Sequence, residues 1–286
     1  MLLPRSARRC VNYVNNLLVD DLEFNSNGSD VLFITFAGMA GILKTFARIR
    51  QKLGIETRPF EFVHSLQDKN CDVLFLRDRH RAYYHFGVKG VGGSVDEVAA
   101  FLNRKIAERQ YKLVVTLGHS MGGYASLLFA SKVKSDICIS ISPRTFLDPE
   151  NRAIHSDNRF KEEIARLYKS QGNATSEFCD LKRYFVSSDN RPYANSCTYF
   201  LFFGGGDRLD RVHATRMLGL NRPFHIYEVE NAGHNAARHM RESGSLLRLV
   251  DNILRFNDHR NLEELVQSIS SEPTMQKLLM RSRSLA

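Results

Sequence analysis

The sequence predicts an α/β protein built on a mainly parallel sheet with helices on both faces. Apolar runs rich in β-branched and aromatic residues recur at 31–36, 72–76, 113–117, 137–141, 198–203 and 224–230. Stretches with helical spacing of apolar residues separate most of them, and strands that read as near-continuous apolar runs are strands covered on both sides. Glycine-containing turns follow four of these runs, at 38–41, 118–122, 204–206 and 231–234. In sheets of this kind function gathers at the carboxyl ends of the strands, where those turns fall. At 286 residues and 43% hydrophobic composition the chain can bury one large core or two small ones.

Taken in order, residues 1–29 hold one amphipathic piece, Val11 to Leu18, and a polar turn at 25–29; we expect this segment to pack on the core. The main domain is expected over 30–256. Asp30 to Phe36 reads as a buried strand, 42–53 as a helix, Phe60 to Val63 as a short strand and 72–76 as a clear one. Ser94 with Glu97 three residues on forms a capping-box signature for a helix to about Arg109. From Pro143 to about Ser196 the periodicity thins into a polar, basic segment with one helix, Lys161 to Lys169. A helix follows the strand 198–203 near 212–218, and another near 246–256 places Leu247, Val250, Ile253 and Leu254 on one face. Residues 257–286 form a tail with one helix, Leu262 to Ile269, and a basic end, read as a solvated terminus or as a contact to a membrane surface or a partner enzyme.

No internal repeat, membrane-spanning run or signal-peptide core is expected, and five cysteines at scattered spacings lack any Cys-x-x-Cys pair. These features read as a reduced, cytoplasmic protein with no resident cofactor and no metal. The net charge of +9 fits either a solvated basic surface or an anionic partner. Nucleic acid is the weaker partner, because the charge is spread over loops and no recognition motif accompanies it.

The chemistry centres on Gly118-His119-Ser120-Met121-Gly122, with a strand before it and a helix after. A strand reversing sharply into a helix strains the apex residue and brings backbone close on both sides. Glycines two before and two after leave room, and the apex serine is held above the sheet. The N-terminal end of the following helix directs free N–H groups at the same spot. A serine hydroxyl needs a base, and the base needs a carboxylate to fix its tautomer. His234 follows the last strong strand and Asp207 the one before it, so Ser120, Asp207 and His234 form the expected triad, with Asp210 a nearby competitor to Asp207. An oxyanion hole would use the backbone N–H groups of Met121 and Met39. His119 is expected to pack beside the turn.

Through Phe36-Ala37-Gly38-Met39, Gly118-to-Gly122, Gly204-to-Asp207 and Gly233-His234, the chain resembles the α/β-hydrolase fold over about residues 30–256. The resemblance implies a nucleophile at Ser120, an acid at Asp207, a base at His234 and a lid at about 143–196. Two features depart from it: Ala37-Gly38 replaces the usual His-Gly, and the long stretch between the first two strong strands suggests that an early hairpin is missing. Dehalogenases of this fold need aspartate in place of Ser120, and lipases an apolar lid.

A second informative stretch, Arg77 to His85, leaves the strand 72–76 on the active-site side. Arginines interleaved with tyrosines suit an acidic sugar chain, which makes Arg79, His80, Arg81, Tyr83 and Tyr84 candidate substrate-binding residues. The competing reading is a structural loop with Asp78 paired to an arginine. Further basic residues, Arg144, Arg152, Arg159, Lys161, Lys182, Arg183, Arg208 and Arg211, crowd the same rim.

The loop and plan look similar to serine α/β-hydrolase-type proteins of bacterial capsule and surface-glycan loci, some of them sugar O-acetyltransferases. That similarity implies acetyl-CoA as acyl donor and an anionic polysaccharide as acceptor. A carboxylesterase or thioesterase with the same triad remains the alternative, and a binding module on a hydrolase scaffold a third reading.

Overall fold

In the computed structural model, the structure describes residues 21–39, 60–170, 176–187 and 193–278. The amphipathic piece Val11 to Leu18 and the helix expected at about 42–53 lie outside the described residues. Eight strands form one sheet in the order β1-β3-β2-β4-β5-β6-β7-β8. They are β1 (Leu22–Asn25), β2 (Val31–Phe36), β3 (Asp72–Leu76), β4 (Leu113–His119), β5 (Ile137–Ile141), β6 (Thr198–Gly204), β7 (Phe224–Val229) and β8 (Met275–Leu278). The six strands from β2 to β7 run parallel. β1 lies antiparallel on β3, and β8 antiparallel on β7. The sheet therefore extends beyond 30–256 at both ends: 1–29 and the tail each contribute a strand.

Side-chain alternation explains why both faces need cover. On β2, Leu32, Ile34 and Phe36 join one apolar cluster, while Val31 and Phe33 join the other. On β6, Tyr199, Leu201 and Phe203 face the first cluster and Phe200 and Phe202 the second. Helices α2 (Val95–Arg109) and α3 (Met121–Ala130) pack on the first face, and α9 (Ser245–His259) with α10 (Leu262–Ser270) on the second. The other helices are α1 (Val63–Leu66), α4 (Pro149–Ile154), α5 (Lys161–Ser170), α6 (Leu181–Ser187), α7 (Arg208–Thr215) and α8 (Ala236–Glu242).

The helix start at Ser94 is as the sequence predicts. Its hydroxyl accepts the Glu97 N–H at 3.2 Å, while Glu97 reaches back to the Gly93 N–H at 2.7 Å. Phe60 to Val63 is not a strand: Phe62 takes a left-handed conformation (φ 66°) that ends the run and opens α1. Among its described residues the insertion between β5 and β6 carries α4, α5, a 3-10 turn at Glu177–Cys179 and α6, where the sequence predicts one helix. No helix among the described residues is long and apolar enough to cross a membrane.

Candidate active site

β4 ends at His119, and Ser120 sits at the apex before α3 with φ 58° and ψ −115°, a strained conformation for a side-chain-bearing residue. Its N–H is tied to the Ile141 carbonyl on the neighbouring strand at 2.9 Å, which over-determines the strain. The flanking glycines are steric necessities. A Cβ on Gly118 would lie 2.0 Å from the Gly122 carbonyl oxygen, and one on Gly122 2.0 Å from the Phe36 carbonyl oxygen. Gly122→Ala is therefore expected to destabilise the fold by about 1–3 kcal/mol or more, read from the chemical-denaturation midpoint. An unchanged midpoint would show that the turn has room.

Ser120 Oγ lies 2.9 Å from His234 Nε2, and His234 Nδ1 lies 2.8 and 2.9 Å from the two carboxylate oxygens of Asp210. The Asp210 carboxylate accepts only, so Nδ1 carries the proton and Nε2 is left to accept from the serine hydroxyl. Burial raises the Asp210 pKa, but the hydrogen bond from His234 and the Arg159 guanidinium outweigh it and hold the carboxyl below its ordinary value. The serine, base and acid are thus joined in one hydrogen-bonded chain.

The carboxylate is Asp210, which corrects the sequence's preference for Asp207. Asp207 is the N-cap of α7: its Oδ1 accepts the N–H groups of Leu209 and Asp210, both at 2.9 Å. Asp210, three residues on, turns its fully buried side chain to His234, whereas the Asp207 side chain is 25% exposed. The spacing carried this signal. A polar residue after a glycine turn and before Arg208-Leu209-Asp210 is a helix cap, and a cap spends its oxygen on backbone.

The segment carrying Met39 reaches the serine turn. Gly38 packs so closely that a Cβ there would meet the His119 carbonyl at 2.8 Å, and its N–H donates to Glu61 Oε2 at 2.9 Å. Met121 opens α3, where the first N–H groups have no intrahelical acceptor. His119 packs its ring 5.5 Å from that of His234 and donates Nε2–H to the His234 carbonyl at 2.9 Å. Burial would lower the His119 pKa, but the Glu61 carboxylate, 3.8 Å from Nδ1, lifts it above the ordinary value. His119 and Glu61 brace both loops around Ser120, and composition gave no hint of Glu61.

The loop after β3 is structural in most of its parts, which corrects the expectation of a sugar-binding surface. Asp78 accepts the N–H groups of His80, Ala82 and Tyr84 at 2.7 to 2.9 Å. Arg77 and Arg79 both pair with the buried Asp21. The rings of Tyr83 and Tyr84 are buried, Tyr83 edge-on to Tyr124 and Tyr84 edge-on to Phe36, so neither can stack on a sugar. The Tyr84 hydroxyl donates into the Ala37 and Leu76 carbonyls. His80 is exposed beside Phe86, and Arg81 pairs with Glu163 at 3.0 Å while contacting the Met39 sulfur at 3.9 Å.

Behind Asp210 lies a second layer of charge that the sequence did not assemble. Arg159 donates Nη1–H to Asp210 at 3.0 Å and holds both oxygens of Asp157 at 3.0 and 3.1 Å. His213 Nδ1 accepts the Thr145 N–H at 3.0 Å, so its Nε2 carries the proton donated to Asp157, also at 3.0 Å. Burial holds the His213 pKa down at about 4, so this imidazole is neutral. Nothing in the polar stretch around Asp157 marks it in the sequence, because its partners are 13 to 56 residues away or come from its own turn.

No family model matches the sequence, and no curated protein matches it. Solved structures match its fold. The capsule O-acetyltransferase of Neisseria meningitidis serogroup A aligns at TM-score 0.55 and 14% identity, over 80% of this chain and 92% of its own. The Glycosylation Associate Protein complex of Streptococcus agalactiae aligns at TM-score 0.57 and 17% identity, over 83% of this chain and 44% of its own. The fluorophosphonate-binding serine hydrolase F of Staphylococcus aureus aligns at TM-score 0.50 and 15% identity, over 80% and 92%. A parallel sheet with Ser120 at a strand-to-helix apex and Asp210 and His234 beyond the later strands is an α/β-hydrolase fold.

Proposed function

We propose that the protein is a serine acyltransferase that moves an acetyl group from acetyl-CoA to a hydroxyl of an anionic polysaccharide. The observation that carries the acyl chemistry is the unbroken hydrogen-bonded chain from Ser120 through His234 to Asp210. Ser120 Oγ attacks the thioester carbonyl as His234 Nε2 takes its proton. The oxyanion of the tetrahedral intermediate accepts from the N–H groups of Met121 and Met39. The carbon–sulfur bond breaks, and the thiol leaves with the proton from His234. A sugar hydroxyl then attacks acetyl-Ser120 as His234 removes its proton. The new ester forms, the Ser120 ester bond breaks, and the proton returns to Ser120 Oγ. Asp210 stabilises the imidazolium in both halves.

The transferase reading is favoured over an esterase by the basic character of the segments around the triad and by the likeness in fold to a capsule O-acetyltransferase. A carboxylesterase or thioesterase would use the same residues with water as second nucleophile. The test is thiol release from acetyl-CoA with and without a panel of anionic polysaccharides, with Ser120→Ala as the blank. Release that rises with one polymer, together with acetyl ester on it, is the expected result. Release indifferent to polymer identifies a thioesterase. Hydrolysis of short aryl esters without thiol release identifies a carboxylesterase.

A further inference from the structure

A buried carboxylate needs more than one partner. Ionised, it offers about four lone-pair sites, yet His234 Nδ1 brings a single proton to the two oxygens of Asp210. Among the described residues the other hydrogen-bond donor to this carboxylate is Arg159, whose Nη1–H reaches Oδ1 at 3.0 Å. An acid held by His234 alone would be free to turn about its side-chain bonds and slacken its grip on Nδ1. A second donor, from another segment of the chain, fixes the carboxylate plane.

Arg159 belongs neither to the sheet nor to α7. It lies between α4 and α5, in the insertion that separates β5 from β6, and contacts within that insertion set its position. Its Nε and Nη2 grip the two oxygens of Asp157 at 3.0 and 3.1 Å, a bidentate fork. Its backbone N–H donates to Asp157 Oδ1 at 3.0 Å, and its carbonyl accepts the Arg152 Nη2–H at 3.0 Å. Asp157 is fixed in turn to α7, where His213 donates Nε2–H to it at 3.0 Å. His213 follows Asp210 by three residues, so both lie on one face of α7. The insertion therefore meets α7 at two points about one helical turn apart, and one of them is the acid of the triad. Burial disfavours the charged guanidinium, but the bonds to Asp157 and Asp210 outweigh it and raise the Arg159 pKa, so the clamp stays charged. Asp207 Oδ1 stands farther off, 3.6 Å from Nη1, and is committed to the start of α7.

We infer that Arg159 is a positioning residue of the triad: the insertion presses its guanidinium onto Asp210 and holds the carboxylate in the plane from which it grips His234 Nδ1. The effect on the reaction passes through Asp210, and the triad is complete only with the insertion in place. The inference deepens the acyltransfer reading by making the insertion part of the catalytic apparatus, and it rests on that reading for what the triad does.

An alkyl fluorophosphonate reads the triad without any natural substrate. Ser120 Oγ forms a bond to phosphorus, the phosphorus–fluorine bond breaks, and His234 takes the hydroxyl proton. In Arg159→Gln the maximal labelling rate is expected to fall by about ten- to a hundredfold, with the half-saturating probe concentration within about threefold of the parent. A substitution that only loosened the fold would lower the melting midpoint and the active fraction but not the rate per folded molecule. Arg159→Lys keeps the charge and loses the planar fork, so it is expected to melt near the parent and recover part of the rate. It carries the test if Arg159→Gln does not fold. In an Asp210→Asn background the same substitutions are expected to change the rate by less than about threefold, because the residue they act through is already lost. Parental rates in every Arg159 variant that folds would overturn the inference, and so would an undiminished drop in the Asp210→Asn background. A parent protein that the probe does not label at Ser120 would instead remove the acyl reading itself, and this assignment with it.

Discussion

Asp210→Asn is expected to lower kcat/KM by about three to four orders of magnitude, while Asp207→Asn is expected to stay within about tenfold of the parent. The asymmetry follows from where each oxygen goes. Asp210 holds the Nδ1 proton of His234, and an amide in its place can present an N–H there and favour the wrong tautomer, leaving Nε2 unable to accept from Ser120. Asp207 accepts two backbone N–H groups at the start of α7, and asparagine caps a helix about as well as aspartate. Steady-state turnover of an aryl acetate, with circular dichroism to confirm folding, decides the matter. If Asp207→Asn were the crippled variant, the hydrogen bonds between Asp210 and His234 would be incidental to turnover.

The second large effect is on stability. Asp157→Asn is expected to cost about 3–5 kcal/mol at neutral pH, because it leaves Arg159 short of a counter-charge and removes the carboxylate nearest Arg144. Although burial raises the Asp157 pKa, its bonds from His213 and Arg159 and the charge of Arg144 dominate and hold the carboxyl well below the ordinary range. A folded-state pKa below the unfolded one means that Asp157 adds stability above the unfolded value of about 3.9. That contribution is lost as pH falls from there toward the folded value. The gap between parent and variant in urea unfolding should therefore be full at pH 7 and narrow in acid. A gap constant from pH 7 to pH 3 would mean that packing, not charge, accounts for the loss.

What the sequence made legible was whatever rests on local pattern. The six parallel strands are apolar runs, and Ser120 and His234 follow two of them, so strand ends alone located both. Three kinds of feature escaped. β1 and β8 are four-residue pieces, Leu22–Asn25 and Met275–Leu278, too short and too polar for alternation to register. Phe60–Val63 is apolar but too short for its period to be read, and the left-handed backbone of Phe62 decided against a strand. The network of Asp157, Arg159 and His213 is assembled across the chain by tertiary packing, and no spacing rule announces it. The arginine–tyrosine loop was legible as chemistry and misread as surface, because Asp21, which takes up Arg77 and Arg79, lies more than fifty residues earlier.

The two short antiparallel strands have a consequence for how the molecule meets its neighbours. A parallel sheet ending at β7 would present a row of backbone donors and acceptors to any passing strand, a template for aggregation. β8 occupies that row, pairing Ile226 to Val229 with Met275 to Leu278, and β1 does the same for β3 at the opposite margin. The segments flanking the catalytic domain thus serve as short hems, and a chain cut before Met275 would keep its triad while exchanging the four-residue edge of β8 for the longer edge of β7, through which copies would stack.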